Sequence, residues 1–483
     1  MAHLALAVSL LLALTSAPRS KTPHAKARVQ AEAPAKAFPF PTELHSLKNG
    51  LRVVFVPCDS PGLVAYYTLM RVGSRNEPES GRSGYAHFFE HMMFRGTKAH
   101  PAEEYNDTVT RLGLSTNAFT DFDMTVFHLY GPSKALPTII DYEADRFQNL
   151  DYSEAQFKTE AGAILGEYAK SASNPGEKLY ERMLETAYDK HTYRHTVIGY
   201  LDDIKAMPGG FEYSRQFFKR YYTPDNATIV IAGDFDKAAA LEEITKAYSG
   251  WKGKLNPAKI PVEPRQTAGR RATVWWDVPT LPRLWLAWHA PSSNDLKAAA
   301  AQDLLNGYLF GPTSALYQEL VLNKQTVDAL EPSWYDHRDP FLFGVIARVK
   351  KIGDVPSVED AITAEVRKLA AGQVDVARLD AVRSNLKYSN ILGLDTADSL
   401  AVTLATSTAL TGKIEYINQL YAQTDTLRPA ELVAFAKKYL TDANRTTVTL
   451  ATGTTSAPDA SPPRKATRAA AAATKTRLTG GAK

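Results

Sequence analysis

Cysteine is almost missing from this chain: Cys58 is the only one in 483 residues. An intrachain disulfide is therefore excluded, and no cysteine follows the N-terminal apolar run to accept a lipid. An excess of one charge is missing as well. Lys and Arg total 56 against 52 Asp and Glu, a net +4, and much of that surplus lies beyond residue 455, where Arg464, Lys465, Arg468, Lys475, Arg477 and Lys483 face only Asp459. So balanced a body gains no support as a nucleic-acid binder. The one long apolar run, residues 4–14, is too short to span a bilayer and is followed by the small residues Thr15, Ser16 and Ala17. Residues 1–17 read as a secretory signal, despite an n-region holding only His3. The product is expected to be exported, periplasmic or secreted, with no integral membrane segment after signal removal.

Histidine is scarce too, at 11 residues, which makes its placement informative. His87, Glu90 and His91 stand in the order H-x-x-E-H, a pattern that such a composition produces by chance in about one chain in a hundred. On a helix, residues four apart lie one above the other, so both imidazoles can reach one metal ion, with Glu90 beside them to work on water. The alternative is an amphipathic core helix on which two histidines happen to fall four apart. A third ligand is required. Residues 157–170 carry apolar residues at helical spacing, with Glu160 and Glu167 seven apart, two turns with about 20° of drift. Either could ligate while the other orients a ligand or the water; a solvated acidic face is the competing reading.

H-x-x-E-H followed by paired glutamates on a second helix resembles the pitrilysin and insulinase family of inverzincin metallopeptidases, and most closely its short two-domain bacterial branch, similar to mitochondrial processing peptidase beta subunits. The stretches 84–87, 115–120, 193–199 and 217–227 agree with it in order and spacing. The resemblance implies one zinc ion per chain held by His87, His91 and Glu167, Glu90 as general base, and Glu160 as a supporting catalytic carboxylate. It also places Asn117 and Ala118 on a strand edge beside the zinc. There an extended peptide would pair through backbone hydrogen bonds; residues 114–128 as a whole have the alternation of a strand.

The chain contains a repeat. Residues 219–231 and 437–449 each read as a helix end, an Asn-containing turn and a β-branched strand. With a Pro/Lys/Gly-rich seam at 252–269, this predicts two similar α+β domains; the resemblance implies the same, an α+β fold of two homologous α/β-sandwich domains, a duplicated half, enclosing a peptide-binding cavity. The expected boundaries are a linker at 18–38, a zinc-binding domain at 39–255, an interdomain linker at 256–269, a homologous domain without metal at 270–454, and a disordered basic tail at 455–483. The tail is either a tether to nucleic acid, an acidic surface or an anionic membrane, or a solvated end. In the second half Gln302, Leu305 and Asn306 fall where His87, Glu90 and His91 stand, so that half holds no metal.

Members of the resembled family commonly carry an Arg and a Tyr after a Ser-x-Leu-Tyr-x-x-Leu stretch to stabilise the oxyanion. Here residues 314–320 supply the stretch, but Val321 and Asp328 replace the pair. The expected function is a zinc endopeptidase of peptides or unfolded segments, the zinc-bearing subunit beside a homologous partner carrying the Arg/Tyr pair. Lys324, Tyr317 and Tyr335 are the local substitutes if it acts alone, and a non-catalytic assembly subunit is the alternative.

Overall fold

The computed structural model describes residues 37–453. The expected signal, the basic tail and most of the first linker lie outside them. Ala37 and Phe38, assigned from composition to that linker, are each only 2% exposed. Phe38 is anchored through its backbone N–H and C=O to the Asn418 side chain, so the chain is tied down earlier than its Ala/Pro/Lys content suggests. No helix among the described residues is long and apolar enough to cross a membrane.

Two sheets carry the architecture. The first contains β1 (Glu43–Ser46), β2 (Arg52–Pro57), β3 (Leu63–Met70), β4 (Ser115–Thr120), β5 (Thr125–Pro132) and β6 (Ala227–Gly233), in the order β1-β2-β6-β3-β5-β4. The second contains β7 (Arg270–Trp276), β8 (Arg283–Ala290), β9 (Val327–Ser333), β10 (Phe341–Val349) and β11 (Arg445–Thr452), in the order β7-β11-β8-β10-β9. In each, the last strand inserts between two earlier ones, parallel to one (β2 or β7) and antiparallel to the next in sequence (β3 or β8). The sequence repeat maps onto this shared step: one copy is helix Phe211–Tyr221 leading into β6, the other helix Pro429–Tyr439 leading into β11. The protein is thus a mixed α/β duplication, with β1 as an addition to the first half.

Each sheet is apolar on both faces, as parallel and central strands usually are, and each needs two covers. Helix α1 (Tyr85–Met92) and helix α2 (Glu154–Ala172) help close one face of the first sheet. The opposite face is closed by a helix from the second half, α4 (Ala397–Thr411), whose Leu400, Ala401, Leu404 and Ala405 pack on Val54, Tyr67, Leu69 and Val230. The exchange is reciprocal. Helix α3 (Pro175–Ala187), from the first half, lays Leu179, Met183 and Leu184 on Ala272, Trp285, Val448 and Leu450 of the second sheet. Small residues let α4 approach closely: its N-cap Thr396 accepts from Ser399 N–H and it stops at Gly412, with φ 76°.

Residues 114–128 form a hairpin and not the single strand their alternation suggests. The chain reverses at 121–124, where Asp121 N–H donates to Met124 C=O. At the turn, Asp123 is 1% exposed and reaches into the second half. It accepts from Tyr193 Oη at 2.8 Å, His337 Nδ1 at 3.1 Å and Arg338 N–H at 3.0 Å. Burial alone would raise its pKa, but the bond and charge of His337, the Arg338 amide and the Tyr193 hydroxyl outweigh burial and hold it below the ordinary aspartate value. Asp123→Ala strands these buried donors and is expected to cost about 3 kcal/mol at neutral pH, read from urea unfolding. A depressed carboxylate contributes fully above about pH 4 and loses that contribution as pH falls through its folded pKa. The wild-type and variant stabilities should therefore converge in acid.

Candidate metal centre and its surroundings

Helix α1 is amphipathic in the sense the metal reading needs. Tyr85, Ala86, Phe88, Phe89 and Met92 are buried, leaving His87, Glu90 and His91 on the remaining face. Its start is sharply defined. Gly84 has φ 92°, and a Cβ there would meet Ile198 C=O at 2.7 Å, so only glycine fits. The buried Glu77 carboxylate accepts the N–H groups of Gly84 at 2.7 Å and Ala86 at 2.6 Å, satisfying donors of the first turn. Burial pushes Glu77 up to about 8 against those bonds.

Helix α2 brings the two glutamates to the histidines. Glu160 lies on its buried stripe, 2% exposed, whereas the Glu167 side chain stands at the margin, 47% exposed. The ring nitrogen Nε2 of His87 is 3.6 Å from one Glu167 oxygen, and Nε2 of His91 is 3.6 Å from the other. One ligand atom from each of His87, His91 and Glu167 lies within 4.8 Å of the others, the one such group of metal-capable side chains among the described residues.

These residues fit a zinc ion. A tetrahedron with bonds of about 2.0–2.1 Å has edges of roughly 3.3–3.4 Å; each histidine nitrogen lies 3.6 Å from a different Glu167 oxygen, and one atom from each of the three residues falls within 4.8 Å of the others, so a small inward shift completes the set. His87 is lowered to about 3 by burial and by neighbouring His91, so it is neutral with a nitrogen lone pair to offer. His91 Nδ1 donates to Glu160 at 2.8 Å, which turns the lone pair of its Nε2 toward Glu167. With both nitrogens acting as acceptors, this arrangement favours a cation between them and Glu167. Burial would lower His91, but the Glu160 bond and the charges of Glu167, Glu160 and Glu90 outweigh it and raise its pKa, the mark of a negative pocket. Glu160 bridges His91 and Arg95. Burial would raise Glu160, and those two partners hold it below the usual carboxylate range.

Glu90 lies outside the ligand group and accepts from Thr120 Oγ1 at 2.6 Å. Its pKa is raised by burial, only partly offset by that bond. Thr120 ends β4, whose free edge is the margin of the sheet and carries exposed Asn117 and 8%-exposed Ala118. Thr120, Arg95 and Glu77 were not singled out from sequence. Arg95 could have been, standing one helical turn after His91; Glu77 belongs to no periodic element and gives no such signal.

In the second half Gln302 is buried and donates to Pro291 C=O and Ala298 C=O. Val321 packs against that half's core. Asp328 accepts from Arg348 Nε at 2.8 Å and is lowered by that hydrogen bond. Of the three local substitutes, Lys324 is exposed and paired with Glu319, and Tyr317 is packed against the core. Tyr335 is 67% exposed and lines a cleft of about 500 Å³ with Arg348 and with Asp121, the residue after Thr120.

Two family models match the chain: Insulinase (Peptidase family M16) over residues 64–200 and Peptidase M16 inactive domain over 211–386. The zinc protease PqqE of Helicobacter pylori is 30% identical over 411 residues, 84% of this chain and 91% of that protein. The chain belongs to the M16 peptidase family. A solved protease from Helicobacter pylori superposes with a TM-score of 0.79 at 30% identity, covering 85% of this chain and 99% of that one. A probable mitochondrial-processing peptidase subunit beta of Arabidopsis thaliana is 24% identical over 414 residues, 83% of this chain and 76% of that protein. One is a zinc protease by name and the others a protease and a processing-peptidase subunit, which supports a peptidase-type function for the family. His87, Glu90, His91, Glu160 and Glu167 all fall within the M16 segment matched by the first model, and Val321 and Asp328 within the inactive-domain segment.

Proposed function

We propose that this chain is a zinc-dependent endopeptidase acting on extended peptides or unfolded segments, exported as a periplasmic or secreted protein and paired with a homologous subunit. The convergence of His87, His91 and Glu167, with Glu90 on the same helix face and tied to the edge strand through Thr120, carries the reading. His87 Nε2, His91 Nε2 and a Glu167 oxygen would hold the metal. When bound, zinc supplies Lewis-acid polarisation and lowers the pKa of water to about 7.

The chain's own residues do the rest. Glu160 fixes the His91 ring, and Arg95 keeps Glu160 charged. Thr120 fixes one oxygen of Glu90, leaving the other to take a proton from the attacking water. As oxygen adds to the carbonyl carbon and the C–N bond breaks, Glu90 returns that proton to the departing amine. Backbone pairing along β4 at Asn117 and Ala118 would align the substrate with little demand on its side chains.

A non-catalytic assembly role is the second reading, favoured by the absence of an Arg/Tyr pair at Val321 and Asp328. Metal content separates the two. Protein purified under metal-replete conditions should carry close to one zinc per chain, and chelation should abolish cleavage of an unstructured quenched peptide in the complete assembly, with zinc restoring it. Protein without zinc would leave only the assembly role.

A further inference from the structure

Away from the metal centre, the two halves and the chain between them line an open-mouthed cavity of about 860 Å³, within the range of small-molecule sites. The connecting segment forms one wall and is pinned in place. Glu263 accepts the backbone N–H groups of Asp189, Lys190 and His191, and the Gln266 amide donates to Ala443 and Arg445 carbonyls. That wall presents Pro257, Ile260 and Pro261, an apolar and stiff surface.

The remaining lining is basic. Arg71 and Arg338 come from opposite halves, with Arg265 and Lys438 also contributing. The two acids of the lining are already engaged: Asp339 holds Arg75 at 2.6 Å and His191 at 2.9 Å, and Glu263 is occupied as above. Among the described residues, no carboxylate lies within 4.0 Å of the Arg71 or Arg338 guanidinium. Arg71 spends its Nε–H on the Ala409 carbonyl at the end of α4. Arg71 is lowered to about 10 by burial and by the charge of Arg338, and Arg338 is lowered by burial and by Arg75. Asp123 offsets part of both charges and Asp339 part of that on Arg338, but neither guanidinium has a direct carboxylate partner, and two such half-buried cations favour an anion between them.

We propose that this cavity binds an organic monocarboxylate with an apolar body, the carboxylate between Arg71 and Arg338 and the body against the connecting segment. It stands independently of the peptidase reading. Two sources share this chemistry, a free medium-chain acid and the C-terminal carboxylate of a short apolar peptide. Octanoate, acetyl-valyl-leucine and the amide of that dipeptide serve as probes by isothermal titration on full-length protein, zinc-loaded and chelator-treated.

Saturable 1:1 binding of either acid is expected, unchanged by zinc removal, with the amide at least about tenfold weaker, since one charge-assisted contact is lost. Preference for octanoate or for the peptide acid identifies the source. Arg338→Gln should weaken the acid at least about tenfold, and at a hundredfold excess over the wild-type Kd the thermal midpoint should rise by about 3 °C in wild type and by about half that or less in the variant. Absence of saturable binding of both acids, equal binding of acid and amide, binding that disappears with zinc, or an unaffected Arg338→Gln would each overturn the proposal. The acid-to-amide comparison uses wild-type protein alone, so it decides even where the variant does not fold.

Discussion

Glu90→Gln is expected to lower kcat/KM for an unstructured peptide by about 10²–10⁴ while leaving zinc content unchanged. Glutamine keeps an oxygen to accept from Thr120, so the side chain should stay where Glu90 now lies. It cannot take a proton from water. None of the three ligand side chains is touched, so metal analysis should match wild type, whereas His87→Ala or Glu167→Ala should lose zinc and activity together. The two classes of variant thus separate proton transfer from metal binding. An active Glu90→Gln in the complete assembly would remove the proposed base.

The second large effect concerns what the chain does not carry. Val321 is packed on the core and Asp328 is bound to Arg348, so neither offers a donor to a developing oxyanion. The purified chain should bind zinc yet cleave peptides slowly. A homologous partner with Arg and Tyr at the matching positions should raise the rate by about 10² or more, the effect of one such donor being roughly 2.7–4 kcal/mol. Rates for the chain, the partner and the mixture against one quenched peptide library decide it. Full activity from the chain alone would redirect attention to Tyr335 and Arg348 in the cleft beside Asp121.

The grouping of His87, His91 and Glu167 was legible in the sequence because helical geometry is local: spacings of four on α1 and seven on α2 need only the period of a helix. The duplication was legible for a similar reason, since the helix-turn-strand unit ending each half is written in consecutive residues. The hairpin at 121–124 was hidden because Phe122 and Met124, buried at the turn, imitate the apolar positions of a continuing strand. The buried role of Asp123 was hidden because its partners lie 70 and 214 residues away. Glu77 escaped notice because a buried carboxylate capping a helix looks, in sequence, like any acidic loop residue.

The exchange of α3 and α4 has the geometry of a swapped dimer whose two protomers have been joined by a tether. Neither half can be cut out with its sheet covered on both sides, and a fragment ending near residue 255 would expose the face that α4 now shields. A single proteolytic nick in the connecting segment should leave both pieces associated under native conditions and separable only by denaturant.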